Sequence, residues 1–376
     1  MVINIASFGG RTHMLDTARE LAAHGPTVRF YSFILDSRAE KFGLKKECNY
    51  SLFWFALPYL VWLKLFGFGG FGTLVYQYLC DRFLAYCMKP CDVFIGQSPM
   101  HVASMKRAKK KWSATTIIER GSSIVQEYIA NLKDLPGSLL ENYSKFAVNR
   151  ELKGYEYADF ISVGADHVRQ GFLKHGYPDS KIFVNNYGFD GAQFHPTEYV
   201  GPYDLIMVGN WSYRKGGELI IEACRSRGYR LLHVGGCSDL AFPQGDEQMT
   251  DIGIKPQYEL ERYYAQARVA LMPSREEGLA LVQMQSVACG LPLVCSKNSG
   301  GRDIRQYTQH PEYIIEMNEL TVDELCRCID EALVLAKSQT WVRNYVGNGL
   351  EKASFKGYGD RYNDFILKHC SKDATD

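Results

Sequence analysis

Residues 269–294 read VALMPSREEGLALVQMQSVACGLPLV, and this stretch decides the fold. The apolar run 269–273 predicts a buried strand, and the acidic loop 274–278 follows it. Apolar residues then recur with helical spacing over 279–289, until a glycine and a proline end the helix and a second apolar run begins. The order strand, loop, helix, strand is typical of parallel α/β sheets, which bind ligands at such loops.

The same loop has the chemistry to bind a negatively charged ligand that carries many hydroxyls. Free N–H groups at the start of the helix can hold phosphate or sugar oxygens, and Gly278 permits close backbone approach. Glu277 can accept hydrogen bonds from sugar hydroxyls, whereas we interpret Glu276 as an acid that complements the helix dipole. Gln285 lies a rise of about 12 Å beyond Glu277 and can meet another part of an extended ligand.

Composition indicates a folded protein of two domains. The chain has 376 residues, of which 46% are apolar and 23% charged, and this length allows two sizeable cores. A net charge of +1 provides no field that would attract nucleic acid. The eleven cysteines contain no CxxC and no Cys/His metal spacing, so we interpret them as reduced, mostly buried residues of a cytoplasmic protein. No secretory signal precedes the first predicted strand.

Strands and helices alternate along both halves of the chain, which predicts two doubly wound parallel sheets. The pattern restarts near residue 203, after a stretch rich in glycine, proline and aromatic residues. We therefore expect two Rossmann-like domains, 1–188 and 203–350, joined by a hinge at 189–202 and facing a central cleft. A final helix, 355–370, is expected to complete the first domain. Ligands are then expected between the domains.

Two segments of the first domain suggest contact with a membrane. Residues 52–79 carry a single charge, Lys64, and its flanking apolar stretches of 12 and 15 residues are each too short to cross a bilayer. We favour an aromatic surface that dips into the membrane over a buried helical hairpin and over a spanning helix. The run KRAKKKW at 106–112 is typical of an anionic lipid contact or of a solvated helix face. Nucleic-acid binding is not expected, because no recognised module surrounds the basic run.

Two further loops offer groups for phosphate. The sequence NWSYRKGG at 210–217 directly follows a predicted strand, and it places Arg214 and Lys215 just before a helix. Two cations at a helix N-terminus suit a diphosphate, although both could also be ordinary surface charges. Gly9 and Gly10 follow the first strand and form either a second phosphate-facing loop or a plain turn.

Taken together, these motifs resemble the GT-B glycosyltransferases, and the retaining family 4 group in particular. The resemblance is strongest in 183–196, 208–223 and 260–294. It implies a nucleotide-sugar-dependent hexosyltransferase that retains the anomeric configuration and needs no cofactor and no metal. A UDP-sugar is favoured over a GDP-sugar as donor. The sequence has no Asp-x-Asp metal motif, in agreement with a metal-independent reaction.

The resemblance also implies roles for individual residues. Glu277 would contact the donor sugar, and Lys215, assisted by Arg214, would bind the donor diphosphate. The chain departs from the family at Gln285, where a second glutamate is usual, because an amide accepts hydrogen bonds with one oxygen only. Asn210 replaces a frequent arginine, and the family's histidine after an N-domain strand is missing. The other expected donor contacts are Gly9, Gly10, Asn210, Ile254, Gly278, Leu279, Ala280 and Leu281, and the acceptor side is expected at Arg120, Ser122, His101 and His13.

The acceptor is inferred from the first domain, which in this family holds the acceptor and often touches membrane. We expect a lipid-linked saccharide at the cytoplasmic face of the plasma membrane, used for O-antigen, capsule or exopolysaccharide. One alternative is a catalytically impaired GT-B protein that only binds nucleotide sugars, because of Gln285 and the missing histidine. A nucleotide-sugar epimerase fits less well, and a nicotinamide dehydrogenase is disfavoured because FGGRTH at 8–13 lacks the GxGxxG pattern.

Overall fold

The computed structural model describes residues 1–8, 12–66, 70–136, 140, 143–338, 349 and 351–370. Within these ranges the chain forms two parallel sheets, each flanked by helices. The strands of the first sheet are β1 Val2–Ser7, β2 Thr27–Ser32, β3 Asn49–Ser51, β4 Val93–Gln97, β5 Thr115–Arg120, β6 Phe160–Val163 and β7 Ile182–Val184. The strands of the second are β8 Tyr203–Val208, β9 Leu231–Val234, β10 Met249–Asp251, β11 Ala267–Met272, β12 Leu293–Ser296 and β13 Ile314–Met317.

Both sheets have the same strand order and therefore the same switch point. The first runs β3-β2-β1-β4-β5-β6-β7 and the second β10-β9-β8-β11-β12-β13, with parallel pairing throughout. Each order reverses direction next to its first strand, as in the dinucleotide-binding fold. A crevice opens where the order reverses, because the connections on either side leave in opposite directions. The predicted pair of doubly wound sheets is thus confirmed.

Helices connect the strands and cover the sheets. In the first half they are α1 His13–Ala23, α2 Asp36–Lys41, α3 Phe53–Phe66, α4 Gly70–Cys87, α5 Val102–Trp112, α6 Val125–Leu132, α7 Lys145–Tyr157 and α8 Asp166–Lys174. In the second half they are α9 Gly217–Arg227, α10 Leu260–Tyr264, α11 Leu281–Ala288, α12 Val322–Ser338 and α13 Phe355–Cys370. Helix α9 begins and ends where the sequence predicts it. The sequence QYELERYYAQA at 257–267 predicts one helix, whereas the structure has a 3₁₀ turn at 257–259 followed by the short α10.

The last helix, α13, lies on the first sheet rather than on the second. The ring of Phe365 stacks on Phe183 near β7 with their centroids 4.0 Å apart. The hydroxyl of Tyr358 is 3.0 Å from that of Thr17 on α1. Arg361 donates a hydrogen bond of 2.8 Å to the carbonyl of Asn186. Helix α13 is thereby fixed to the first half of the chain.

The apolar segment 52–79 forms a helical hairpin made of α3 and the first part of α4. Several of its large apolar side chains face solvent, with Trp54 76% and Leu65 69% exposed. In the parts of the chain that the structure describes, no helix combines the length and apolarity needed to cross a bilayer. Part of the hairpin is open to solvent rather than buried.

The cysteines follow the interpretation made from the sequence. All eleven are free thiols, and nine of them are buried. Cys87 and Cys237 are the exposed two. The buried thiols act as small apolar residues of the cores.

Candidate functional site

The candidate site lies where the loops after β8 and β11 meet, at the switch point of the second sheet. The loop after β8 carries Arg214 and Lys215, and the loop after β11 carries Glu276, Glu277 and Gly278. Strands β8 and β11 are hydrogen-bonded neighbours, so their carboxyl ends bring the two loops together. The fold therefore brings Lys215 and Glu277 into contact, although they are 62 positions apart in the sequence.

Glu277 is the centre of this cluster. Its Oε2 forms a salt bridge with Nζ of Lys215 and lies 3.1 Å from Nη1 of Arg214. The same Nη1 donates a hydrogen bond of 2.9 Å to the carbonyl of Glu276. The side chains of Lys215 and Glu277 are only 8% and 14% exposed. The two groups predicted to bind a diphosphate and a sugar are thus in direct contact and largely buried.

The pKa values in the cluster reflect two opposing effects. Burial disfavours the charged form of each group, and attraction between opposite charges favours it. Burial alone would raise the pKa of Glu277, but the charges of Lys215 and Arg214 lower it to about 2. Burial lowers the pKa of Lys215 against the attraction of Glu277. Glu277 and Glu276 raise the pKa of Arg214 in spite of burial. Two cations therefore share the carboxylate of Glu277, an arrangement that can accept a further anion.

Glu276 does not play the part predicted for it. Helix α11 begins at Leu281, so Glu276 lies before its first turn and does not serve the helix dipole. Its side chain is completely buried, and Oε1 accepts a hydrogen bond of 2.8 Å from the backbone N–H of Ser123 in the first half. Burial and the negative charge of Glu277 raise its pKa. Glu276 is thus a contact between the two halves, which the sequence analysis missed.

A buried network continues from Ser123 into the first half. Nε of Arg120 donates a hydrogen bond of 2.9 Å to the carbonyl of Ser123, and Nη1 forms a 2.7 Å salt bridge with Glu151. Arg120 is itself buried and engaged in these bonds. The structure therefore gives the predicted acceptor-side Arg120 a place in the contact between the halves. Ser122 is half-buried beside it.

Backbone contact between the halves is closest at Gly278. A Cβ added there would lie 2.1 Å from the carbonyl oxygen of Gly121. On the other side, Nε2 of His167 at the start of α8 is 2.8 Å from the carbonyl of Glu277. Burial lowers the pKa of His167 to about 4, so its ring is neutral at pH 7. Sequence analysis did not identify His167, because nothing in its local pattern connects it with residue 277.

The two predicted histidines lie in different surroundings. His13 is packed against the ring of Tyr187 at 4.3 Å, and its Nε2 is 3.5 Å from Oε1 of Glu119. A Cβ on Gly121 would be 3.9 Å from its ring, so His13 borders the contact between the halves. His101 is completely buried with its ring 4.4 Å from Phe8, and burial lowers its pKa to about 3. It belongs to the core and is not open to an acceptor.

The other predicted donor contacts extend from the cluster along the edge of the sheet. Asn210 is exposed after β8 and Ile254 is 81% exposed after β10. Between them, a Cβ on Gly236 would lie 3.2 Å from Oδ1 of Asn210 and 3.5 Å from Cδ1 of Ile254. These three residues form a shallow end of the crevice, open to a flat ring.

The remaining predicted contacts belong to the loop before α11 and to α11 itself. Leu279 is buried, and Ala280 and Leu281 are half-buried. Gln285 is buried, and its Oε1 has no hydrogen-bond partner within the described residues. Gly9 and Gly10 lie outside the described residues.

Known proteins resemble the chain both in sequence and in fold. Residues 202–333 match the family described as glycosyl transferases group 1. The amylovoran biosynthesis glycosyltransferase AmsK of Erwinia amylovora is 24% identical over 270 residues, which cover 63% of this chain and 61% of that protein. The chain thus spans less than two thirds of this relative's length.

Solved structures agree along almost the whole chain. A sucrose-phosphate synthase from Thermosynechococcus elongatus matches with a TM-score of 0.68 at 14% identity, over 97% of this chain and 98% of that one. HepE of Anabaena, in complex with UDP and glucose, matches with a TM-score of 0.64 at 12% identity, over 97% and 99%. At such identities the likeness establishes the fold alone. The chain has the GT-B fold, and its residues 202–333 match the family described as glycosyl transferases group 1.

Proposed function

We propose that this protein transfers a hexose from a nucleotide diphosphate sugar to a saccharide acceptor, with retention of the anomeric configuration. UDP is favoured over GDP, and the transfer itself uses no metal. The observation that carries the proposal is the enclosed cluster of Lys215, Arg214 and Glu277 at the switch point. The relationship to AmsK, a glycosyltransferase of amylovoran biosynthesis, supports a role in surface polysaccharide synthesis. The HepE complex supports a nucleotide-sugar donor.

The cluster suggests how the donor would be held. In the structure, Lys215 and Arg214 are both paired with Glu277. A diphosphate carries more negative charge than one carboxylate and would take over Lys215 and Arg214. Glu277 would then be free to accept hydrogen bonds from the sugar hydroxyls. The cluster of Lys215, Arg214 and Glu277 is therefore already assembled before the donor binds, and donor binding changes which groups are paired.

Charge stabilisation would supply most of the catalysis. Departure of the diphosphate leaves negative charge on its oxygens while the anomeric carbon becomes cationic. Lys215 and Arg214 are held in place before this charge develops, and such preorganised groups are effective catalysts. The acceptor hydroxyl would give its proton to the departing phosphate, so no protein base is required. Asn210, Ile254 and Gln285 would bind the nucleoside.

The test compares Lys215→Ala with Lys337→Ala, an exposed lysine on α12 in the same half of the chain. Released nucleotide is measured with a panel of nucleotide sugars and a synthetic lipid-linked acceptor. We expect kcat to fall roughly 10²–10³-fold in Lys215→Ala, the usual loss for one preorganised charge-stabilising group, and to stay unchanged in Lys337→Ala. An unchanged kcat in Lys215→Ala would contradict the mechanism. Nucleotide binding without donor consumption by the wild-type protein would favour the catalytically impaired alternative.

We propose further that the acceptor is lipid-linked and that the first half of the chain contacts an anionic membrane at its cytoplasmic face. The α3–α4 hairpin exposes Trp54 and Leu65. Helix α5 exposes Lys109, Lys110 and Lys111, which can attract anionic headgroups. Apolar side chains beside cations are the combination that binds a membrane surface peripherally.

Vesicle flotation tests this contact. We expect the protein to float with vesicles that contain anionic lipid and less with neutral ones. The double variant Trp54→Ser/Leu65→Ser should lose flotation. Val334→Ser, which changes a 67% exposed residue on α12, should keep it. Equal flotation of both variants would show that the hairpin is not the contact, and no flotation of the wild-type protein with anionic vesicles would leave a soluble acceptor as the better choice.

The division of labour between the halves is also a proposal. Residues 1–188 together with α13 would form the acceptor domain, 203–350 the donor domain, and 189–202 the hinge. The packing of Phe365 on Phe183 supports the place of α13 in the first domain. The buried contact of Glu276 with Ser123 supports a shared crevice in which the donor and acceptor sites meet.

A further inference from the structure

A second cluster of reactive groups lies at the edge of the donor half, at the carboxyl ends of the neighbouring strands β9 and β10 and on the loop that follows β9. It consists of His233, Cys237 and Asp251. The imidazole nitrogen, the thiol sulfur and a carboxylate oxygen all lie within 4.8 Å of one another. His233 is completely buried, whereas Cys237 is exposed. The proposed transfer reaction uses none of these three side chains.

The hydrogen bonds of His233 leave a place for a cation. Its Nε2 lies 2.9 Å from the carbonyl oxygen of Gly209. A carbonyl oxygen can only accept, so Nε2 carries the hydrogen. Nδ1 of the neutral ring then presents a lone pair to Oδ1 of Asp251 at 2.9 Å. Two lone pairs at this distance repel unless a proton or a metal ion lies between them.

We propose that Nδ1 of His233, Sγ of Cys237 and the carboxylate of Asp251 bind one Zn²⁺. These are three of the ligand types that Zn²⁺ takes in proteins, and its bond lengths imply ligand atoms roughly 3.3–3.6 Å apart, so the cluster needs only small shifts. The thiolate and the carboxylate neutralise the ion, so the site with its metal carries no net charge beside the buried ring. The bond from Nε2–H to Gly209 orients the ring, as backbone carbonyls commonly do for metal-binding histidines.

The state of the thiol fits a site that binds its metal from solution. Cysteine binds Zn²⁺ as the thiolate, so the thiol of Cys237 must lose its proton when the metal binds. Binding must then expel a proton, and affinity must rise with pH. The exposure of Cys237 gives the ion a path of entry, and a fourth position remains for water.

The bound metal would make this part of the structure more rigid. Gly209 begins the loop that carries Asn210, Arg214 and Lys215, and the N–H of Trp211 donates a hydrogen bond of 2.6 Å to the carbonyl of Gly236. Zn²⁺ would tie the loop after β9 to the end of β10 and stiffen this wall of the crevice. It would therefore act on the shape of the donor half and not on the transfer of the sugar.

The experiment uses the intact protein after chelation and dialysis, in a non-thiol reductant. Co²⁺ is titrated first as a visible probe, and Zn²⁺ then competes with it. We expect one Co²⁺ per chain with a thiolate-to-cobalt charge-transfer band that Zn²⁺ abolishes. Cys237→Ser should remove the band and weaken metal binding at least tenfold. Cys87→Ser, which changes the other exposed cysteine, should leave both unchanged.

Two results would overturn the proposal. Absence of the band in the wild-type protein means that a proton, not a metal, lies between His233 and Asp251. An identical band in Cys237→Ser means that another thiol binds the metal. Asp251→Asn provides an independent check, since it should keep the band and lower the affinity, while circular dichroism confirms folding. Donor consumption is not part of the readout, so failure here leaves the proposed transfer reaction untouched.

Discussion

Replacing Gly278 by alanine perturbs the contact between the two halves at a single point. The new Cβ would lie 2.1 Å from the carbonyl oxygen of Gly121 and 3.5 Å from Cα of Ser122. Both are backbone atoms, so no side chain can rotate away. A carbon and a carbonyl oxygen approach to about 3.3 Å, so the halves must separate by about 1.2 Å here. Glu277 is the preceding residue and must move with the loop.

The expected cost differs between stability and activity. Overpacking of this size costs about 1–3 kcal/mol in the free energy of unfolding. A displacement near 1 Å at a reacting centre costs on the order of 10²-fold in rate, so kcat/KM for donor consumption should fall by about that factor. The assay is released nucleotide at subsaturating donor, together with urea unfolding of the same preparation.

Gly171→Ala is the matched control for this variant. It lies in α8, where a Cβ would make ordinary contacts of 3.5 and 3.6 Å. An alanine in a helix is favoured over glycine by up to about 1 kcal/mol, so the control should be slightly more stable and fully active. If Gly278→Ala is folded and keeps the kcat/KM of the wild type, the halves do not need this contact for catalysis and the reasoning is wrong.

Replacing either of the two adjacent glutamates by glutamine should change the stability of the protein in a pH-dependent way, and the two changes should have opposite signs. Glu277→Gln should destabilise the protein at neutral pH by on the order of 3 kcal/mol, because the pKa of Glu277 falls from 4.5 to about 2 on folding. That stability is present above about pH 4.5 and is lost toward pH 2, so urea midpoints of variant and wild type should converge in acid. Glu276→Gln should be more stable than the wild type at neutral pH, because folding raises the pKa of Glu276, and this advantage should vanish as the pH falls. Gln285→Ala should raise the donor KM about tenfold and leave kcat unchanged, because one hydrogen bond to the donor is lost. An unchanged KM would show that Gln285 does not contact the ribose.

Much of the fold and part of the candidate site follow from local patterns. The period of the apolar residues predicts most central strands and the exact extent of α9, because both faces of a strand and one stripe of a helix must be buried. The meeting of Lys215 with Glu277 follows from the same patterns, since each residue stands in a loop after a central parallel strand. The edge strands β3, β7, β10 and β13 were not predicted; β3, β7 and β10 have three residues each, which is too few to show an apolar period.

The rest of the site depends on contacts that no local pattern contains. Glu276 looks like a dipole-matching acid beside its helix, but its hydrogen-bond partner, Ser123, lies 153 positions earlier. The cluster that we propose as a Zn²⁺ site depends on such a contact as well. The spacing of His233 and Cys237 in the sequence does not indicate a metal site. Asp251 lies beside them only because β10 pairs with β9.

The loop that carries both glutamates connects donor binding with the contact between the halves. Glu276 holds Ser123 on one side and lies 3.6 Å from Nη1 of Arg214 on the other. When the halves are in contact, the N–H of Ser123 donates a hydrogen bond to Glu276 and partly offsets its negative charge. Glu276 then attracts Arg214 less strongly, and Arg214 can interact more strongly with a diphosphate. When they separate, that hydrogen bond is lost, and Glu276 competes for Arg214. We therefore expect donors to bind more tightly to Glu276→Gln, whose amide oxygen can keep the bond to Ser123 without the competing charge; a weaker donor affinity in that variant would show that Glu276 supports the donor site directly.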